Sequence, residues 1–242
     1  MPDAAGAYLL DTFDGAPITV RRTRRKKSIA ISIRDGKVNV LAPQRVPEGE
    51  IRALIAAKQS WIRAKLQRHA ALPRAAAREF VDGERFLFLG EAYPLRVLNG
   101  PKANAELEQG TFVIHARRAQ TQERRARSIR AAFLRWYKAE AAALFADRTD
   151  HFARLMGAAP RRISFRDYKS MWGKCTGGGE ITYNWKLVMA PPEIADYVVV
   201  HELAHLHHLN HSKDFWRCVE AVIPDHKARR KWLKDYGQTL VI

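Results

Sequence analysis

Cysteine is scarce in this 242-residue chain. Cys175 and Cys218 are the only two, and they do not form a Cys-x-x-Cys pair. That excludes a disulfide scaffold and leaves two reduced thiols as the expectation. Long hydrophobic runs are missing too. No apolar stretch approaches the roughly 18–20 residues that a membrane span needs. Met1 to Leu10 has no basic leading region and only a short apolar stretch, so no signal peptide and a cytoplasmic location are expected. Acidic residues are in short supply, 25 Asp and Glu against 42 Lys and Arg. No glycine-rich phosphate loop, zinc finger or RNP motif is present, which removes the common sequence-readable nucleotide and RNA modules.

What is present is enough apolar material for a folded protein and a large positive charge. The hydrophobic fraction of 47% is ordinary for a globular chain, and the length suits one large domain or two small ones. The net charge of +17 attracts polyanions. The charge is clustered: Arg21, Arg22, Arg24, Arg25, Lys26 and Lys27 form one block, and Arg117, Arg118, Arg124, Arg125, Arg127 and Arg130 another. Such blocks suit contact with DNA or with a nucleotide phosphate, and they favour phosphate contact over base reading.

Residues 17–42 read as strands. Ile29, Ile31 and Ile33 alternate with polar residues, and Asp35-Gly36 signals a hairpin before Val38 and Val40. Pro47 to Arg68 reads as one amphipathic helix, and residues 74–78 as a linker. Strands return from Phe80 to Leu98 and from Thr111 to His115. From about Thr121 a long helical stripe runs to Gly157 and Pro160. A short strand at Ile163–Arg166, a glycine-bearing loop at Lys169–Gly179 and a strand at Ile181–Leu187 follow. A helix is expected from Glu193 to Leu209, then one or two more with a break at Pro224. No internal repeat is evident. The fold class is α+β, with a strand-rich domain over 1–118 carrying one helix and a mainly helical domain with a short sheet over 119–242.

The segment His201-Glu202-Leu203-Ala204-His205 carries the chemistry. Residues four apart on a helix share a face and sit about 6 Å apart along the axis, so both imidazoles can reach one ion. Neutral imidazole suits zinc (Zn2+). Glu202 points beside the metal, where it can take a proton from water. Val198-Val199-Val200 place this helix in a core. A third ligand is needed. His208 lies about 10.5 Å further along the helix than His201, too far for one ion. His207 points away. His211 is favoured if the helix ends near Leu209-Asn210, with Asn210 in the left-handed conformation; Asp214 and Glu220 are fallback ligands. His69, His115, His151 and His226 stand alone in sequence and read as ordinary structural residues.

These residues carry a resemblance. Tyr197 to His205, then Asn210-His211-Ser212, Phe215-Trp216 and Pro224-Asp225, are similar to the YgjP-like metallopeptidases, relatives of the SprT group of zincins. Trp172-Gly173-Lys174-Cys175 with Gly179, Ile181, Asn184, Leu187 and Pro191 resembles the same family's upstream stretch. Ala42-Pro43, Lys58 to Trp61 and Gly90-x-x-Tyr93 fit less specifically. The resemblance implies a zincin-like catalytic domain behind a small β-rich domain. It implies zinc on His201, His205 and His211, with Glu202 as acid and base. Met171 and Lys174 stand where the family usually has Arg and Ser.

Three functions follow. The first is a zinc metallopeptidase acting on a protein or peptide substrate, with Tyr183, Asn184 or Lys169 as candidates to steady the oxyanion. The second is a metal-dependent nucleotide phosphohydrolase, since some YgjP-like proteins are described as UTP pyrophosphatases. The third is a nucleic-acid-binding module with a structural metal, which the lack of a cysteine ligand and the presence of Glu202 disfavour.

Overall fold

The computed structural model describes residues 7–24, 28–34, 36–71, 78–101, 103–116 and 121–242. The chain divides into two units, Met1–Pro73 and Arg74–Ile242. The division therefore falls well before the 118/119 boundary expected from the change of sequence character. The reason is packing. Strands in the stretch 85–116 bury Phe86, Leu95, Phe112 and Ile114 in one core with Phe133 and Tyr137 of the long helix, and a separate core serves the earlier strands.

In the first unit, β1 (Ala7–Phe13), β2 (Ala16–Thr23), β3 (Ala30–Arg34) and β4 (Lys37–Pro43) form a sheet in the order β1-β2-β4-β3. β2 and β4 run parallel, and the other neighbours antiparallel. Alternation puts Ile18, Val20, Val38 and Val40 on a buried face shared with Ile51, Ile55 and Ile62. The single helix expected over 47–68 is two, α1 (Glu48–Ala57) and α2 (Gln59–Ala71). Lys58 leaves helical geometry, φ −108° and ψ 14°, and its amide is shared between the carbonyls of Leu54 and Ile55, a break that no Gly or Pro announces. Of the first basic block, Arg22 is structural: it donates to the carbonyls of Pro43 and Val46 and to the Tyr8 hydroxyl. Arg25, Lys26, Lys27 and the turn residue Asp35 lie outside the described residues.

The second unit opens with β5 (Arg85–Phe88), β6 (Glu91–Asn99), β7 (Asn104–Glu108) and β8 (Thr111–Ala116). Their order is β5-β6-β8-β7, with β6 and β8 parallel. This is the strand pattern of the first sheet over again, though no repeat shows in the residues, because alternation needs apolar character and not identity. α3 (Gln122–Met156) is capped by the Thr121 hydroxyl, which accepts from the Arg124 amide, and stops at Gly157 in the left-handed region, φ 61°. Arg117 and Arg118 lie outside the described residues; Arg130 donates to the Ile242 carbonyl. β9 (Arg162–Arg166), β10 (Gly173–Cys175) and β11 (Glu180–Asn184) form a second sheet of this unit, order β10-β11-β9. A 3-10 turn over Trp185–Met189 leads into α4 (Pro192–Ala204), then α5 (Lys213–Val222) and α6 (His226–Tyr236). The architecture is mixed α+β. No helix among the described residues is long and apolar enough to cross a membrane.

α4 is apolar on almost every side. Ile194, Ala195, Val198, Val199, Val200, Leu203 and Ala204 are all buried, as a central helix requires. Two contacts fix it. Arg148 of α3 grips Asp196 through both carboxylate oxygens, at 2.6 and 2.8 Å. The β5–β6 turn docks just ahead of it: the Leu89 and Gly90 amides donate to the carbonyls of Val188 and Met189. Gly90, φ +87°, lies so close to Pro191 that a Cβ there would sit 3.0 Å from the Pro191 Cα.

Candidate metal centre

His201 projects from the last turn of α4 and His205 from the cap position just after it, with ring centroids 5.1 Å apart. The helix ends at Ala204, five residues before the expected Leu209. Its end tightens into short bonds, Leu206 N–H to the Leu203 carbonyl and His207 N–H to that of Ala204. The His208 carbonyl is taken by a ring: His205 Nδ1 lies 3.1 Å from it. Asn210 is not left-handed, so the expected means of return is absent. The chain comes back through a different device. Asn210 Oδ1 accepts from the Ser212 amide, and Ser212 Oγ accepts from the Phe215 amide, capping α5. His211 stands immediately before that cap.

The result is a convergent trio. One ring nitrogen each of His201, His205 and His211 lies within 4.8 Å of the others, and His201 Nε2 is 3.1 Å from His211 Nε2. Phe215, fully buried, forms the common wall, its ring 5.0, 4.6 and 4.7 Å from the three imidazoles. Trp216 stacks on the exposed His211 at 5.7 Å. His208 enters through its carbonyl alone. The fallback acids are elsewhere: Asp214 pairs with Arg217, and Glu220 faces Lys227. His151 packs on Phe152 and His226 on Trp216; of the His69 side chain nothing is described.

The electrostatics suit ligation. Burial pushes the His201 imidazolium down to about 3, with His205 and His211 adding to the effect. His211 is lowered as well, by burial first, then by His205 and Arg230. Both rings are therefore neutral near pH 7, with a lone pair to offer. Glu202, 5% exposed, is pushed up to about 8 by burial, against the pull of a backbone hydrogen bond from Cys175. Gly173 makes room for it: a Cβ on residue 173 would lie 2.7 Å from the Glu202 Cδ. A cavity of about 290 Å³ opens beside His201 and Glu202, bordered by Trp172, Tyr197 and Arg230.

A family model described as YgjP-like, metallopeptidase domain, matches residues 27–236. The chain belongs to the YgjP-like metallopeptidase family. Among solved structures, the crystal structure of the metallopeptidase zymogen of Pyrococcus abyssi abylysin matches at 26% identity, over 40% of this chain and 99% of that one, with a TM-score of 0.36. No protein of curated function matches the chain.

Within this YgjP-like chain, the oxyanion candidates fare poorly. Tyr183 is in the core, its hydroxyl 3.0 Å from that of Thr149. Asn184 spends both ends on structure: its amide donates to the carbonyls of Tyr168 and Met171, and its oxygen accepts from the Lys186 amide. It thereby holds the loop that delivers Trp172 and Gly173. Lys169 is exposed. What the residue pattern alone missed is the Gly173 clearance, the Cys175 amide, the Phe215 wall and Arg230. Arg230 sits in a run of bases that reads as a solvated helix face. Phe215 follows a Ser-x-x cap signal, which was a usable clue.

Proposed function

We propose that this YgjP-like chain is a zinc-dependent peptidase with His201, His205 and His211 as ligands and Glu202 as acid and base. The observation that carries the reading is the convergence of three imidazoles beside a buried glutamate. The donor set fits zinc. Tetrahedral coordination at about 2.0–2.1 Å from each nitrogen puts ligand nitrogens about 3.4 Å apart, and His201 and His211 already stand at 3.1 Å. His205 Nδ1 is engaged by the His208 carbonyl, which leaves Nε2 as the bare acceptor. Three imidazoles without a thiolate leave a coordination position open, the pattern of a catalytic site.

Zinc held there supplies a Lewis acid and makes water a nucleophile near neutral pH. Glu202 does the proton work. It takes a proton from the attacking water on a carboxylate oxygen and returns it to the nitrogen of the departing amine. The Cys175 amide keeps the carboxylate oriented, and Gly173 keeps side chains off it. The test is the Glu202→Gln protein at full zinc occupancy, assayed on casein, on DNA–protein crosslinks and on nucleoside triphosphates. Peptide-bond cleavage by wild type, lost in the variant with zinc retained, is expected. Cleavage retained by the variant, or phosphate release with no proteolysis by wild type, overturns the proposal.

A further inference from the structure

α6 carries a run of bases, and most of them have an acidic neighbour. Arg229 pairs with Asp225 at 2.9 Å, Lys231 with Asp235 at 2.9 Å, and Lys227 faces Glu220 at 3.9 Å. Arg230 differs. It has no carboxylate within ion-pair distance among the described residues, and its guanidinium lies over the Trp216 ring, 5.3 Å from the centroid. That aromatic seat holds a planar cation in place without neutralising it. Arg230 borders the 290 Å³ cavity that also exposes Gly173, His201 and Glu202. The carboxylate already in the cavity, Glu202, is held by the Cys175 amide. The cavity thus has an apolar and aromatic lining, from Trp172, Tyr197 and Leu233, and two exposed bases at its border, Lys234 and Arg230, of which Arg230 is the one seated on an aromatic ring. A guanidinium fork matches a carboxylate in shape and charge.

We propose that Arg230 is a specificity-determining residue, and that the cavity takes a carboxylate of the peptide substrate next to the bond that is cut. The carboxylate is that of an acidic side chain or of the chain's C-terminus. This inference rests on the peptidase reading above. Arg230 binds the substrate and takes no part in proton transfer.

The test uses the full zinc-loaded chain and matched peptides. One carries Glu at varied positions with an amidated end, one carries Gln there and one Lys there with the same amidated end, and one carries Gln with a free carboxyl end. Wild type should prefer a carboxylate peptide to the neutral one by about tenfold in kcat/KM, the lower end of what a desolvated charge pair contributes. Whichever carboxylate peptide is preferred identifies the source. Arg230→Gln should bring the ratio close to one, mainly through KM. Arg230→Lys should restore part of it, and Arg230→Glu should turn the preference towards Lys in place of Glu. Cleavage by wild type without preference, or a ratio unchanged in Arg230→Gln, overturns the inference and leaves the peptidase reading intact. An equal fall in kcat on all peptides, with the ratio kept, also overturns it. If wild type cleaves no peptide, both fall together.

Discussion

Glu202 is a liability to the metal-free fold, and the size of that liability can be measured. Its carboxyl titrates near 8 in the folded chain, against 4.5 for the free group, chiefly because it is buried. Between those two values the folded state keeps a proton that the unfolded chain has released. Stability therefore falls as pH rises from about 4.5 to about 8 and levels off above that. At about 1.4 kcal/mol per unit of pKa, the full penalty is on the order of 3–5 kcal/mol. Glu202→Gln has the same shape, keeps an oxygen to accept from Cys175, and carries no such penalty. His201 contributes the opposite slope at lower pH. Its folded value of about 3 lies below the ordinary 6.5, so stability is lost as pH falls through that window. That term is common to both proteins and cancels in the difference. The assay is guanidinium unfolding of chelator-treated wild type and Glu202→Gln from pH 5 to pH 9. The variant should match wild type near pH 5 and exceed it by a few kcal/mol at pH 9. A difference that does not change with pH refutes the reasoning.

Two further outcomes follow from the loop that covers Glu202. Gly173→Ala puts a methyl 2.7 Å from the Glu202 Cδ. Displacing the base by a fraction of an ångström to an ångström should cost about 100-fold in kcat, with a melting temperature close to wild type; unchanged peptide turnover would mean that the clearance is not used. Asn184→Ala removes two donated bonds and one accepted bond at a site 2% exposed. It should destabilise the chain by about 2–4 kcal/mol in equilibrium unfolding and lower activity through the Trp172–Gly173 loop; a loss under 1 kcal/mol would place the bonds outside the cooperative fold.

The legible parts were those where one residue type has one physical use. Thr121 and Gly157 bound α3 at the expected residues, because a hydroxyl cap and a left-handed glycine are local devices. The His201/His205 spacing was legible because it is a helical repeat. The domain boundary was not, since β5–β8 share their alternation with the first sheet and only their buried partners, Phe133 and Tyr137, assign them to α3. β1 was missed because its Leu9 is 66% exposed, so an edge strand lacks clean alternation. The left-handed Asn210 that the sequence suggests as the means of returning His211 is not what the backbone shows. The helix stops at Ala204, and the Asn210–Ser212–Phe215 cap chain returns the ring, without a left-handed Asn210. Arg230 was invisible because its lack of an acidic partner depends on how α6 packs.

A zinc ion on His201, His205 and His211 is tested most directly by the zinc content of purified protein. Wild type and Glu202→Gln should each carry one zinc per chain after dialysis against metal-free buffer, while His211→Ala should carry far less. Zinc-free wild type that cannot be loaded, or His211→Ala that holds zinc as tightly as wild type, would contradict it.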